Sequence, residues 1–98
     1  MGPEAVLEHK LVNAVTRLGG MCIKQTGQMG IPDRLVILSD QPIGCPARCI
    51  FIELKAEQGR LSAIQKHQIQ RLRALGCDVR VLRGSGDVSA FIQELERR

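Results

Sequence analysis

The chain has 98 residues, 44% of them hydrophobic and 24% charged, which describes one globular domain near the lower end of the usual size range and excludes a disordered polymer. No apolar run approaches the roughly 18–20 residues needed to cross a bilayer, and the N-terminus lacks the basic and apolar regions of a signal peptide, so the expected location is the cytoplasm. Fourteen Lys and Arg against ten Asp and Glu give a net charge of +4, which suits a nucleic-acid partner, while two Phe as the only aromatics argue against a stacking platform for single-stranded bases.

Residues 4–18 carry Leu7, Leu11, Ala14, Val15 and Leu18 at helical spacing, with Pro3 suited to a first turn and Gly19-Gly20 to a stop. Residues 21–25 read as a short strand, and Gly27 to Gly30 as a turn leading into Pro32-Asp33. The apolar run within 34–38 predicts a second strand. Residues 39–48, with two prolines and a glycine, read as a hairpin connection. Residues 49–54 form the third strand, 56–60 a polar loop, and 62–75 a helix ended by Gly76. Residues 78–83 are a fourth strand, Gly84 to Gly86 a turn, and 88–96 a last helix with Val88, Phe91, Ile92 and Leu95 on one face. The order α-β-β-β-α-β-α implies a mixed sheet flanked by helices, with the third and fourth strands as parallel neighbours joined through the intervening helix.

Four cysteines raise the question of zinc. Only Cys45 and Cys49 are close in sequence, and the second tight pair that a structural zinc site uses is missing, so core or surface thiols are expected.

The chemistry concentrates elsewhere. In a strand, residues i and i+2 share a face, so Glu53 and Lys55 project side by side. Asp33, at the head of the preceding strand, can meet them at one end of the hairpin. Two carboxylates form a plausible site for Mg²⁺, which takes hard oxygen ligands and retains several waters; the backbone carbonyl of Leu54 is a further candidate ligand. Such a metal polarises water and a phosphoryl group together, and Lys55 can position the attacking water or balance charge in the transition state. A Glu-x-Lys triplet alone occurs by chance in many proteins, and Pro-Asp is also an ordinary turn pair. The ordered combination is what points to a metal-dependent phosphodiesterase.

Gly30-Ile31-Pro32-Asp33-Arg34, Phe51-Ile52-Glu53-Leu54-Lys55, Leu61-Ser62-x-x-Gln65 and Leu75-Gly76 resemble the VRR-NUC family, the virus-type replication-repair nucleases of the PD-(D/E)XK superfamily. The resemblance runs in order from Glu8-His9-Lys10-Leu11-Val12 to the final strand. It implies a restriction-endonuclease-like core with α-β-β-β-α-β order in one domain spanning 1–98, and a bacterial or phage setting. It also implies a Mg²⁺-dependent, structure-selective DNA endonuclease, with Mn²⁺ as a substitute, acting as a homodimer on Holliday junctions. A nickase, a flap- or end-directed nuclease and a non-catalytic DNA-binding module stand as alternatives.

The same resemblance adds Glu8 as a helix acid completing the metal site, directly or through water; Glu4, one turn earlier, is also a favourable charge for a helix N-terminus. It adds Gln65 too, which doubles as the closing residue of a capping box begun by Ser62. Candidate DNA contacts are Lys24, Arg34 and Arg60, together with the backbone of Gly27 and Gly30, where a phosphate can approach closely. Lys66, Arg71 and Arg73 read as solvated charges.

Overall fold

A computed structural model describes residues 2–39 and 45–97. Helix α1 (Pro3–Arg17) leads into β1 (Met21–Lys24), β2 (Arg34–Leu38) and β3 (Arg48–Lys55); α2 (Ala63–Ala74), β4 (Asp78–Arg83) and α3 (Gly84–Glu96) follow. Residues 40–44 of the expected hairpin connection lie outside the described residues.

The four strands form one sheet in the order β1-β2-β3-β4. The β1–β2 and β2–β3 pairs are antiparallel, and β3 and β4 are parallel, as a helical crossover requires. Pleating sorts the side chains. Val36 and Leu38 on β2, Ile50, Ile52 and Leu54 on β3, and Leu82 on β4 enter the main core with Leu7, Leu11, Ala14 and Val15 of α1 and Val88, Phe91, Ile92 and Leu95 of α3. Each fully buried Val, Leu, Ile or Phe side chain here stabilises the fold by about 1.5–3 kcal/mol. The alternate residues, Glu53 and Lys55 among them, therefore project from the opposite face, where α2 lies.

Helix α2 is closed at both ends. Ser62 and Gln65 form a reciprocal capping box, and at the C-terminus the Gly76 and Cys77 amides donate to the carbonyls of Arg73 and Leu72. That pair of hydrogen bonds requires a left-handed residue at position 76, where glycine has φ +96°.

Most boundaries hold or shift by a single residue, but α3 begins four residues earlier than expected. Gly84 to Gly86 is the first turn of α3 rather than a separate turn. The weak helix propensity of glycine is overridden locally: the Asp87 carboxylate accepts the Arg83 amide at 2.8 Å, and Gly84 is buried against Glu57, whose Cβ a side chain at 84 would meet at 3.2 Å.

Candidate active site

The site opens where the sheet loses one neighbour. Pairing between β2 and β3 ends at Arg34↔Ile52, whereas β3 and β4 stay paired through Lys55↔Arg83. Glu53, Leu54 and Lys55 thus have a ladder partner on one side only. The chain entering β2 passes the other side: Pro32 is fully buried, which fixes the backbone before Asp33, and the Asp33 carbonyl accepts the Gln25 amide at 2.7 Å.

Asp33 comes to the Glu53 carboxyl, which is 2% exposed. Burial first, and then the charge and hydrogen bonding of Asp33, push Glu53 up to about 7, against the opposing pull of Lys55. The Lys55 Nζ lies 3.8 Å from Glu53 Oε2. Glu53 Oε1 is buried with no hydrogen-bond partner, an arrangement that is costly for an ionised oxygen unless a cation faces it. The donor set of two hard carboxylates, one with an unshared buried oxygen, fits Mg²⁺ or Mn²⁺.

Gln65 performs both roles that its position suggests. Its Oε1 accepts the Ser62 amide at 2.9 Å, while its Nε2 donates to Glu53 Oε2 at 3.2 Å. The cap orients the amide, so that its donor end faces the carboxylate.

The loop before Asp33 is pinned to α2. Gln68 Nε2 donates to the Met29 carbonyl at 3.4 Å. Gly30 has φ +83°, and a Cβ there would lie 2.8 Å from Ile64 Cγ1 and 2.9 Å from the Ile64 carbonyl oxygen. Packing on α2 therefore accounts for glycine at position 30. At Gly27, with φ +104°, a Cβ would meet nothing within 4 Å. Gln68 lies on the same face of α2 as Gln65, one turn on.

Two other expected residues, Glu8 and Arg34, pair with each other. Glu8 accepts two bonds from Arg34, the Nε contact measuring 3.1 Å, and Arg34 Nη1 also donates to the Cys22 carbonyl at 3.3 Å. Arg34 shares pleat parity with Val36 and Leu38, so this pair sits on the α1 face, opposite Glu53 and Lys55. Among the described residues no three His, Cys, Asp or Glu side chains gather as a metal-binding group. Glu8 is thus occupied by Arg34 instead of joining Asp33 and Glu53, and Arg34 is engaged internally. Glu4 is exposed in the first turn of α1. Lys24 is exposed on the edge strand, in register with Arg34, and Arg60 is exposed in the loop after Lys55. The Leu54 side chain is buried in the main core, and its backbone runs along the one-sided stretch of β3.

Comparison with known proteins agrees with this architecture. A family model described as the VRR-NUC domain matches residues 4–86. A protein of Acyrthosiphon pisum secondary endosymbiont phage 1, named "Putative nuclease p44", is 37% identical over 91 residues, covering 91% of this chain and 90% of that protein. A solved VRR_NUC domain structure matches with a TM-score of 0.81 and 28% identity, over 95% of this chain and 97% of that one. The helix-flanked mixed sheet and the family match over most of its length place the chain in the VRR-NUC family of nuclease domains.

Proposed function

We propose that this nuclease domain is a Mg²⁺-dependent, structure-selective DNA endonuclease that cuts four-way junctions as a homodimer. The observation that carries the metal-dependent reading is the buried, unshared Glu53 Oε1 beside the Asp33 carboxyl, with the Lys55 ammonium at the same carboxylate. Asp33 and Glu53 would hold the metal, with the Leu54 carbonyl as a further oxygen. When bound, Mg²⁺ supplies charge neutralisation at the scissile phosphate and a more acidic water. Gln65 holds Glu53 Oε2 in place, and burial around Glu53 keeps competing water away. Lys55 donates to the attacking water and counters negative charge as it builds on the phosphate oxygens. The junction preference rests on the family resemblance; a two-fold dimer would present two such sites to a substrate of approximate two-fold symmetry.

The test is cleavage of labelled four-way, flap, splayed and linear duplex DNA with Mg²⁺, Mn²⁺ or EDTA, comparing the parent with Asp33→Asn. Metal-dependent cutting of the junction by the parent alone is expected. Parental rates in Asp33→Asn would exclude this site, and preference for linear duplex would exclude junction selectivity while leaving the nuclease intact.

A further inference from the structure

Arg83 ends β4 in parallel register with Lys55. Their predecessors, Leu54 and Leu82, are both buried in the main core, so Lys55 and Arg83 project together from the opposite face. Neighbouring strands are about 4.8 Å apart, and like charges at adjacent positions repel. Lys55 has Glu53 as an offset; Arg83 has no carboxylate within ion-pair reach among the described residues. Its Nε donates to the Gly59 carbonyl at 3.2 Å, and the remaining guanidinium nitrogens make no hydrogen bond there. The Gly59 amide in turn donates to the Ala56 carbonyl at 2.8 Å, closing a tight turn. Arg83 therefore secures the loop that carries the exposed Arg60 while keeping several donors for another partner.

We propose that Arg83 contacts a DNA phosphate next to the scissile one, with Arg60 flanking it, so that Lys55, Arg83 and Arg60 form a continuous cationic track leading away from the carboxylates. A guanidinium fixed at one nitrogen by a carbonyl is already oriented, and its free edge matches two phosphate oxygens. The proposal rests on the nuclease reading, and it assigns DNA contact to a residue outside the Asp33, Glu53 and Lys55 group.

The test measures binding rather than cutting. In an Asp33→Asn background, the affinity for labelled four-way junction DNA is followed against salt for Arg83 and for the Arg83→Gln and Arg83→Lys variants. Gln retains a donor for the Gly59 carbonyl but removes the charge, which separates phosphate contact from loop support; circular dichroism checks that each variant is folded. Arg83→Gln is expected to weaken binding on the order of tenfold at low salt and to flatten the log K against log salt slope by about 0.9, with Lys restoring most of the slope. Parental affinity and slope in Arg83→Gln would overturn the Arg83 assignment alone. Failure of the protein with Asp33 and Arg83 both intact to bind any DNA, with or without Mg²⁺, would overturn it together with the nuclease reading.

Discussion

Replacing Glu53 by Gln tests the buried carboxyl without any assumption about substrate. In metal-free protein Glu53 ionises near 4.5 when the chain is unfolded and at about 7 when it is folded. The folded state therefore binds this proton more tightly. The corresponding stability is fully present below about pH 4.5 and is lost as pH rises through about 7, because the fold must then accept a buried charge beside Asp33. Once both states are ionised the loss amounts to about 3 kcal/mol. Gln does not titrate, still accepts from Gln65 Nε2, and gains a donor for the Asp33 carboxylate. Urea unfolding in EDTA should then show Glu53→Gln more stable than the parent by about 2–3 kcal/mol at pH 8, with the advantage shrinking to about 0.4 kcal/mol near pH 4.5. Millimolar Mg²⁺ at pH 8 should stabilise the parent and leave the variant unchanged, since ligand binding to the folded state adds to stability. An advantage of equal size at both pH values would refute the buried-charge reasoning.

Further outcomes follow from individual contacts. Lys55→Met should abolish cleavage in Mg²⁺ while leaving the circular dichroism spectrum unchanged; retained cleavage would remove Lys55 from the chemistry. Ser62→Ala should cost about 1 kcal/mol in chemical unfolding, the value of a helix cap, whereas Gln65→Ala should lose a similar amount and also lower the cleavage rate, through the lost bond to Glu53. Gly30→Ala forces a residue with φ +83° to carry a Cβ 2.8 Å from Ile64, so it should destabilise the protein by about 1–3 kcal/mol in urea and slow cleavage by displacing the chain ahead of Asp33. Arg34→Gln should destabilise the fold by about 1–3 kcal/mol by stranding Glu8, with little change in the salt dependence of DNA binding; a flatter slope would instead give Arg34 a phosphate contact.

Much of this architecture was legible in the residues themselves. The 3.6-residue stripes of α1 and α3 named their buried faces, and the Glu53 and Lys55 pairing followed from the two-residue period of a strand. The capping box was equally open to reading, because Ser62 and Gln65 are three residues apart. What stayed hidden depends on register. The unbroken apolar run from Leu35 to Leu38 conceals which alternate residues face α1, so the partnership of Arg34 with Glu8 emerges only when β2 is aligned with Ile52. Arg83 beside Lys55 is likewise a product of parallel pairing across a helix, for which spacing offers no direct cue. Gly84 to Gly86 resembled a turn because local propensity speaks there before packing does.

The two-ended engagement of Gln65 has an experimental consequence remote from catalysis. Its carboxamide joins the Ser62 amide to the Glu53 carboxylate, so any change that draws Glu53 Oε2 away must loosen the first turn of α2. Hydrogen exchange at Ser62 then becomes a spectator of events at Glu53, readable by nuclear magnetic resonance without substrate or turnover. A proton, a metal ion or a substitution at Glu53 would each leave its own protection pattern at that single backbone position.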